Sequence, residues 1–428
     1  MNKALRLLLW GLLALLLTAA VAAAAVLRIG LAPARDEWAV DWRLGPVTVP
    51  VGVPTVLRLA TSPWIGPRLD GRRLQTAQGP VDLRWDAPRR QLALRCAPCR
   101  LGLSAMGSQP LQLAELRVTA QRDVDRLAGD VDAVPAAEGG AAAAPGLHGR
   151  WQGRLTQRDL HIDAQFDDAP IARWYAVLAP GLPELARARI GGMAGGRLQV
   201  QLPAGTLGLQ PRVGGFTVEG LGTDALLGAR SNCGPSANLK PDSWLARAVL
   251  AAEDQRFFQH PGFDLIELQA AFDRNQHKGA VERGGSTLTQ QLAKVLVTGG
   301  ERTLQRKLRE LLYAVDMEQQ LGKARILQLY LDHAPWGRVC GAEAAARFYF
   351  NRPAARLEPA QAVWLAAMLH APSAAAERWQ REGGLDPQRV QWVAEGIRGI
   401  GRTQREALLR SVAQARYPWP GSTPAPAR

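Results

Sequence analysis

The hydrophobic periodicity of the chain changes after Phe216, and this change is the strongest constraint on its fold. In four earlier segments apolar residues alternate with polar ones, as they do in half-buried antiparallel strands. From Trp244 to about Leu369 the spacing of apolar residues is instead helical, with few β-branched runs. The sequence therefore predicts an α+β multidomain protein in which a β-rich part precedes a mainly α part. The alternating segments are Val47–Val53, Leu92–Cys96, Leu160–Phe166 and Leu198–Leu202.

An uncharged apolar run extends from Leu7 to Leu27. At about 1.5 Å rise per residue, a helix of this length crosses a hydrocarbon layer roughly 30 Å thick. The run predicts an N-terminal transmembrane helix, because it is longer than a usual signal-peptide core; a cleaved secretory signal is the alternative interpretation. Lys3 and Arg6 precede the run and Arg28 follows it, so charge indicates the orientation only weakly. With no second apolar span in the sequence, the rest of the chain is expected on one side of the membrane.

Composition and turn-forming residues divide the chain into five predicted parts. The stretch VPAAEGGAAAAP, from Val134 to Pro145, is expected to be a flexible interruption, and Ala169–Leu185 to include a short helix. A basic amphipathic helix is predicted around Gln388–Ala415, and the Pro-rich end from Tyr417 is expected to fray. The parts are residues 1–36 (cytoplasmic tail and transmembrane anchor), 37–230 (β-rich domain), 231–243 (linker), 244–385 (mainly helical domain) and 386–428 (helical tail and disordered end).

The chain is strongly basic, with a formal net charge of +14 and an isoelectric point near 10.4. This balance favours anionic partners, which include nucleic acid, acidic lipid headgroups and pyrophosphate-bearing substrates. Charge alone does not choose among them. The apolar fraction of 47% excludes a disordered protein and is enough to build more than one core.

The four cysteines are compatible with two disulfides in an oxidising compartment, Cys96 with Cys99 locally and Cys233 with Cys340 across the fold. Cys96 and Cys99 form a Cys-Ala-Pro-Cys motif, and Cys233 and Cys340 are far apart in the sequence. A redox-active motif is the alternative for the first pair, although no thioredoxin-like βαβ pattern surrounds it. A zinc site would need a second closely spaced pair, which the sequence lacks.

The stretch AEDQRFFQHPGF, from Ala252 to Phe263, contains a candidate catalytic carboxylate. If Ala246–Phe257 is one helix, Val249 and Phe257 lie one turn below and above Glu253 on the same face. Apolar neighbours would desolvate this carboxylate and raise its pKa, as a general base near neutral pH requires. The alternative is a glutamate facing water at a helix end, with Pro261-Gly262 as the stop signal.

The stretch GGSTLTQQLAK, from Gly284 to Lys294, predicts a loop followed by a helix start. Ser286 and Thr287 supply hydroxyl groups, and Gln291 and Lys294 supply further donors where the helix dipole favours anions. Such a region can hold phosphate. The alternative is an ordinary N-capped surface helix, since Ser and Thr are common there for backbone reasons.

The segment Leu304–Val315 has an apolar stripe, with Arg306 and Glu310 on the other side. At this i,i+4 spacing, an Arg and a Glu are usually a solvated pair that contributes a few tenths of a kcal/mol. In a cleft they would instead offer a cation for pyrophosphate and a second carboxylate. The sequence leaves both interpretations open.

Taken in order, five segments between about Leu239 and Ser373 resemble the peptidoglycan glycosyltransferases of family 51. The likeness is greatest to the monofunctional biosynthetic enzymes of that family, and it implies a lysozyme-like, mainly α glycosyltransferase domain over residues 244–385. No Ser-x-x-Lys or Lys-Thr-Gly motif occurs, so no transpeptidase partner domain is expected. The segments are AVLAAEDQRFFQHPGFD, RGGSTLTQQLAK, RKLRELLYAVDME, KARILQLYLDHAPWG and GAEAAARFYFNRPAARLEPAQAVWLAAML.

The resemblance implies roles for the residues at matching positions. Glu253 matches the catalytic carboxylate of the family, and Glu310 matches its second cleft carboxylate. The other matching residues are implied to bind substrate or to support Glu253; they are Asp254, Phe257, His260, Ser286, Thr287, Gln291, Lys294, Arg306 and Lys307.

The implied reaction is attack of a lipid II sugar 4-hydroxyl on the lipid-linked anomeric carbon of the growing glycan, with inversion and release of polyprenyl diphosphate. The resemblance admits a divalent cation, Mg²⁺ or Mn²⁺, and implies no nucleic-acid partner. It places the chain in the bacterial inner membrane as a single-pass protein with its catalytic domain in the periplasm. Other cell-wall synthesis or envelope proteins are expected to bind the β-rich domain.

Some positions depart from the family pattern. Val295, Gln328 and Asp332 replace a usual Asn, Glu and Asn, and Cys340 stands where the family has an Arg or an aromatic residue. The β-rich part is also atypical for the short enzymes. Two other functions therefore stay open at this point: a non-catalytic scaffold that binds lipid-linked glycan, and a lysozyme-like enzyme that cleaves glycan.

Overall fold

The computed structural model describes residues 33–44, 47–102, 110–136, 145–270, 285–300 and 303–421. The predicted membrane segment Leu7–Leu27 lies outside these residues, as do residues 137–144 of the predicted interruption. None of the described helices is both long and apolar enough to span a membrane. The transmembrane anchor therefore stays a prediction.

The described residues have the predicted α+β architecture, with a β-rich middle region and a helical C-terminal region. Their contacts divide them into two compact units. Unit 1 holds the described residues up to Gly102, together with Pro110–Ala169 and Gly195–Arg212; unit 2 holds Pro170–Ala194 and the described residues from Val213 onward. The predicted domain boundaries at residues 230, 243 and 385 stay a prediction.

Unit 1 is built on an extended antiparallel sheet in which most strands that follow one another in the sequence also lie side by side; β5 and β6 are the exception, since both pair with β7. Strand β11 enters this unit at Gly195, and β12 leaves it at Arg212. The strands are β1 (Ala39–Leu44), β2 (Val47–Gly52), β3 (Arg73–Thr76), β4 (Gly79–Asp86), β5 (Gln91–Cys96), β6 (Cys99–Leu101), β7 (Leu111–Asp123), β8 (Arg126–Pro135), β9 (Leu147–Leu155), β10 (Leu160–Pro170), β11 (Arg189–Leu202) and β12 (Thr206–Glu219).

The alternating sequence segments form strands, as the periodicity predicts. Of the segment Val47–Val53, β2 pairs with β1 in a hairpin that is separate from the main sheet of the described residues. Helix α1 (Val53–Ala60) begins at its end because Pro54 suits a first helical turn. A second short helix, α2, covers Gly66–Leu69. In the main sheet, Leu127 and Leu155 are among the buried residues that form the core of this unit.

A disulfide bonds Cys96 to Cys99 at the junction of β5 and β6. Both cysteines are buried, and β5 and β6 both pair with β7. The short loop between the two strands is therefore closed covalently on the sheet.

Unit 2 is mainly helical and contains the larger core. Its central helix, α8, is apolar on all sides, and every residue from Ala360 to Met368 is buried. Helices α4 and α10 pack against it. The helices and short strands are α3 (Ile171–Leu178), α4 (Trp244–Glu253), α5 (Leu288–Ala293), α6 (Leu304–His333), β13 (Pro335–Trp336), β14 (Val339–Cys340), α7 (Ala342–Phe350), α8 (Pro359–Met368), α9 (Pro372–Glu382), α10 (Pro387–Gly396) and α11 (Arg402–Gln414).

Helix α3 is the short helix expected within Ala169–Leu185, and it belongs to unit 2. A 3₁₀ turn, Pro183–Ala186, follows it. Tyr175 and Leu182 are buried in the same core as α8. This part of the sequence, which precedes the predicted linker, therefore contributes to the core of the helical unit.

The C-terminal region differs from the sequence-based expectation. The single helix predicted over Gln388–Ala415 is two helices, α10 and α11, separated near Gly399, where φ is +72°. The chain from Tyr417 was expected to fray, but the Tyr417 carbonyl accepts a hydrogen bond from Trp379 Nε1 at 2.7 Å. The Trp419 ring also packs edge-on against Trp379. Aromatic packing thus fixes the chain around Tyr417 and Trp419, whereas residues 422–428 of the predicted frayed end lie outside the described residues.

Candidate active site

Glu253 is the last residue of α4. The prediction that one helix covers Ala246–Phe257 is wrong, because Asp254 leaves the helical region with φ −159° and ψ 82°. The Asp254 carboxylate accepts a hydrogen bond from the backbone N–H of Leu288, at the start of α5, at 2.8 Å. This long-range bond favours a chain reversal directly after Glu253. Phe257 consequently lies in a following 3₁₀ turn instead of on the helix face of Glu253.

Pro261-Gly262 does not end this helix; it shapes the loop that follows. The Gly262 N–H donates to His260 Nδ1 at 3.2 Å, and the Gly262 carbonyl accepts from Thr287 Oγ1 at 2.7 Å. Gly262 has a φ of +93°, and a Cβ there would lie 2.9 Å from the Ala314 carbonyl oxygen of α6. Only glycine fits this close approach without strain.

His260 and Asp254 form a buried pair behind Glu253. His260 Nε2 lies 3.0 Å from Asp254 Oδ2. Since Nδ1 accepts the Gly262 N–H, we assign the proton of a neutral ring to Nε2, which then donates to Asp254. The buried Phe257 ring packs edge-on against His260. The polar atoms of this group are thus bonded to other protein atoms.

The Glu253 carboxylate is only 11% exposed. Gln291 Nε2 donates to its Oε2 at 2.9 Å, and the Tyr330 hydroxyl donates to Gln291 Oε1 at 3.2 Å. Burial raises the pKa of Glu253; the Gln291 hydrogen bond and the charge of Arg389 act in the opposite direction, and the charge of Asp254 adds to the increase. Burial also raises the pKa of Tyr330 well above its usual value, so this hydroxyl stays protonated.

Arg389 is a site residue that the sequence analysis missed. It lies on α10, in the part of the chain predicted to be a helical tail. Its Nη2 lies 3.4 Å from Glu253 Oε1 and donates to the Ala252 carbonyl at 3.1 Å. The guanidinium also stacks on the Trp392 ring, 4.5 Å from its centroid. No local sequence signal marks an Arg on a basic amphipathic helix as a neighbour of a residue more than 130 positions away.

The second predicted segment forms the N-terminus of α5. Thr287 is the N-cap, and together with Gln290 it forms a capping box. Its hydroxyl also donates to the Gly262 carbonyl, and the side chain is buried. Thr287 therefore fits the N-capped-helix interpretation, because its hydroxyl is already hydrogen-bonded to backbone groups.

Lys294 and Ser286 are the accessible parts of this segment. Lys294 is exposed at the start of a π-helical turn, Lys294–Thr298, and turns of this kind are frequent at functional sites. Ser286 precedes the cap and accepts a hydrogen bond from Lys307 Nζ. Among the described carboxylates, none pairs with the Lys294 ammonium group.

The third predicted segment is the first part of α6, and its charged residues are not a solvated surface pair. The Glu310 side chain is 3% exposed, and it bonds both to Arg306 Nη1 and to Lys307 Nζ, the latter at 3.0 Å. Burial lowers the pKa of Lys307, and although Glu310 opposes this, the charges of Arg306 and Lys294 lower it further. The burial of Glu310 favours the interpretation in which this pair belongs to a cleft.

The Arg306 side chain has one N–H donor that is not bonded to another described residue. Its Nε is buried, and within the described ranges it has no hydrogen-bond partner. A buried N–H without a partner costs free energy, and an anionic oxygen would satisfy it. The site thus combines a desolvated carboxylate with a raised pKa and a set of cations that can bind phosphate oxygens.

Three of the four positions that depart from the family pattern, Gln328, Asp332 and Cys340, bond to the predicted linker, whereas Val295 is exposed. The Asp332 carboxylate accepts from the Ser236 hydroxyl at 2.9 Å and from the Ala237 N–H at 3.3 Å. A disulfide joins Cys233 to Cys340, the other pair considered from the sequence. These groups fix the linker on unit 2, and within the described residues they form no bond to Glu253 or Glu310.

The described residues do not provide a protein-only metal site. Within them, no group of three or more His, Cys, Asp or Glu side chains could hold a metal ion. Glu310 already pairs with two cations, and Glu253 accepts from Gln291 and lies near Arg389. The described carboxylates therefore do not fit a resident divalent cation.

A cavity of about 640 Å³ lies in unit 1. It is lined by residues of β8 to β12, among them Arg126, Arg154 and Gln199. None of the predicted site residues lines it, and it lacks a buried carboxylate with a raised pKa. The candidate chemistry therefore resides in unit 2.

Comparison with known proteins gives one family. The sequence model of the family described as Transglycosylase matches residues 236–397, a range that includes every predicted catalytic and substrate-binding residue. Residues before 236, including α3 and the 3₁₀ turn after it, lie outside this match.

The chain is also similar to curated proteins named biosynthetic peptidoglycan transglycosylase. The protein of Alcanivorax borkumensis is 43% identical over 186 residues, which are 43% of this chain and 68% of the relative. Those of Nitrosomonas eutropha and Chromobacterium violaceum are 47% and 49% identical over 129 residues, 30% of this chain. The chain spans 53% and 57% of the length of these two relatives.

Proposed function

The chain belongs to the bacterial peptidoglycan transglycosylases of glycosyltransferase family 51, and from this membership we propose that it polymerises lipid II into glycan strands. The observation that carries the proposal is the buried carboxylate of Glu253, whose pKa is raised and which lies at a helix end. A general base that works near neutral pH needs such an environment.

Glu253 accepts the proton of the attacking sugar 4-hydroxyl. The oxygen of that hydroxyl forms a bond to the anomeric carbon of the lipid-linked glycan, while the bond from this carbon to the diphosphate oxygen breaks. The electron pair of the broken bond leaves with the polyprenyl diphosphate, and the configuration inverts. The amide of Gln291, itself held by Tyr330, orients the Glu253 carboxylate for the proton transfer.

Lys294, Arg306 and Lys307 stabilise the charge that develops on the departing diphosphate. Two observations support this role: Arg306 Nε is buried without a partner among the described residues, and Lys294 is exposed beside Lys307. Fixed cations in a partly desolvated site are effective because they need little reorganisation as charge develops. Glu310 holds Arg306 and Lys307 in place.

The other predicted substrate-binding residues act differently in this proposal. Asp254, Phe257, His260 and Thr287 are buried, and the polar atoms among them bond to protein groups. They position Glu253 and the start of α5 instead of touching substrate. Ser286 bonds to Lys307, and Gln291 bonds to Glu253, so both residues are proposed to lie next to the bound substrate.

A divalent cation enters the proposal only with the substrate. Mg²⁺ or Mn²⁺ commonly binds through one or two carboxylates together with substrate phosphates. Because the described residues form no three-ligand site, any such ion would depend mainly on the diphosphate.

The proposed location is the bacterial inner membrane, with the apolar run Leu7–Leu27 as a single anchor and the helical unit in the periplasm. This location would confine the enzyme to the plane that holds its polyprenyl substrate, and the net charge of +14 suits anionic headgroups. Unit 1 is proposed to bind other cell-wall synthesis or envelope proteins. The scaffold and glycan-cleaving alternatives have no observation that favours them.

The deciding experiment is lipid II polymerisation by the purified chain and its Glu253→Gln variant. We expect the wild type to form polymer and the variant to lose roughly two to four orders of magnitude in rate. Polymer formation by the variant at the wild-type rate would overturn the role of Glu253. Binding of lipid II without product by the wild type would instead support the scaffold.

A further inference from the structure

The helix that carries the diphosphate-facing cations is held from its other side by residues outside the family match. Arg309 lies on α6 between Lys307 and Glu310 and points to the 3₁₀ turn Pro183–Ala186. Its Nε and Nη2 both donate to Glu184 Oε1, at 2.9 and 2.6 Å. Glu184 is 2% exposed, whereas the Arg309 side chain is 30% exposed, so a buried carboxylate pairs with a partly exposed cation.

Two tyrosines extend this contact. The Tyr313 hydroxyl, one turn after Arg309, donates to the same Glu184 oxygen at 3.3 Å and accepts from Arg187 Nη2 at 2.9 Å. The Tyr175 hydroxyl, from α3, donates to the backbone carbonyl of Leu308 at 3.1 Å. Residues of α3 and of the turn after it therefore bond to both the backbone and the side chains of the first turns of α6.

These contacts fix the rotation of α6 about its axis. At 3.6 residues per turn, Arg309 is about 200° from Lys307 around the helix, so the two side chains leave on nearly opposite sides. Holding Arg309 and Tyr313 thus determines the direction in which Lys307 and Glu310 project. A rotation of the helix would move both groups away from the diphosphate.

The ion pair is better suited to orientation than to stability. The buried Glu184 carboxylate loses hydration, and solvent screens its attraction to the partly exposed Arg309, so the pair contributes little net stability. Glu184 Oε2 is buried and has no hydrogen-bond partner in the part of the chain that the structure describes, so the pair is not even fully satisfied. A geometric role accounts for a charged pair at this position better than a stabilising one does.

We propose that Glu184 is a positioning residue for glycosyl transfer, which acts through Arg309 and, together with Tyr175, sets the orientation of α6. This inference rests on the proposed function. Glu184, Tyr175 and Arg187 precede residue 236, where the family match begins, so the chain has a positioning element outside the matched transglycosylase region. The added segment thereby controls the cations of the active site.

The effect is expected in kcat more than in KM. The attraction between cations and diphosphate grows as the bond to the anomeric carbon breaks. Misplaced cations therefore reduce the stabilisation of the transition state more than they reduce the binding of the substrate. In the full-length chain, Glu184→Gln should lower kcat for lipid II polymerisation about tenfold and change KM less than twofold. Tyr175→Phe, which removes only a hydroxyl, should lower kcat two- to threefold, and it serves if Glu184→Gln does not fold.

A double variant separates positioning from stability. In Glu184→Gln with Arg309→Gln neither residue is charged, so thermal stability should recover relative to Glu184→Gln while kcat stays low. The matched control is Thr223→Val, which removes a buried bond of 2.6 Å to Asp316 on the same helix. Asp316 is about 13 Å further along the axis than Lys307 at 1.5 Å per residue, so this control should lose stability but keep kcat.

The outcomes distinguish this inference from the proposed function. A wild-type chain that does not polymerise lipid II would overturn the function itself. An active wild type with Glu184→Gln and Tyr175→Phe variants of unchanged kcat would overturn only the positioning role. Recovery of kcat together with stability in the double variant would likewise show that the pair is merely structural.

Discussion

The two glutamates of the candidate site are both buried, but their surroundings differ. Glu253, at the end of α4, accepts a hydrogen bond from the neutral amide of Gln291, and the Arg389 guanidinium lies 3.4 Å from its carboxylate. Glu310, inside α6, bonds to the cations Arg306 and Lys307. The first environment leaves a carboxylate able to take a proton, and the second makes a carboxylate that holds cations in place.

The largest difference between the two glutamates is expected on replacement of Glu253. Glu253→Gln should lose roughly two to four orders of magnitude in polymerisation rate without loss of stability. The folded-state pKa of Glu253 is raised, so the wild type is relatively stabilised below the unfolded pKa and loses this contribution as pH rises through the folded pKa. Thermal unfolding at neutral pH should therefore give an equal or higher Tm for the variant, and a clear decrease would contradict the assigned environment.

Replacement of Glu310 should instead reduce stability strongly and the polymerisation rate less. Glu310→Gln leaves Arg306 and Lys307 without their carboxylate, and breaking a buried pair in this way costs about 3 kcal/mol of stability. The polymerisation rate should fall less than in Glu253→Gln, because the cations remain but lose their fixed positions. Chemical denaturation and a lipid II assay measure the two effects; a stable, inactive variant would show that Glu310 takes part directly in proton transfer.

Arg389 tests the electrostatic difference between the sites. Its positive charge lowers the pKa of Glu253, so Arg389→Gln should raise that pKa further. The acid limb of the pH–rate profile should then move to higher pH, so the rate at a fixed pH on that limb should fall. Arg389→Lys keeps the charge and is the matched control. If the pH–rate profiles of both variants matched that of the wild type, Arg389 would act through packing and not through its charge.

The smallest effect is expected at Thr287, which supports Glu253 only indirectly. Thr287→Val removes the N-cap of α5 and the bond to the Gly262 carbonyl, at a cost of about 1 kcal/mol of stability. Thr287→Ser retains the hydroxyl and should restore stability. A loss of activity as large as that of Glu253→Gln would indicate that Thr287 touches the substrate after all.

Much of the fold class and of the site follows from local patterns. Alternating residues such as those of Leu160–Phe166 form strands, and the helical spacing after Trp244 forms helices, because each period places apolar side chains on one face. The identities of Glu253, Lys294 and Glu310 as site residues came from the order and spacing of their segments. Their roles in the reaction stay a proposal.

Other features depend on contacts between residues that are far apart in the sequence. Helix α4 ends at Glu253 instead of continuing to Phe257, in a reversal where Asp254 bonds to the N–H of Leu288. Single-residue propensities carry no information about such a partner.

The sequence by itself determined the element types and the family, and it predicted the two carboxylates and most of the cations proposed for the site, because these depend on short segments. Tertiary structure alone decided which side chains surround each carboxylate: Arg389 near Glu253, and Glu184 behind the helix of Glu310. The physical reason is that desolvation and charge depend on distance in space. Residues more than a hundred positions apart can therefore set the pKa of a base or the direction of a helix face.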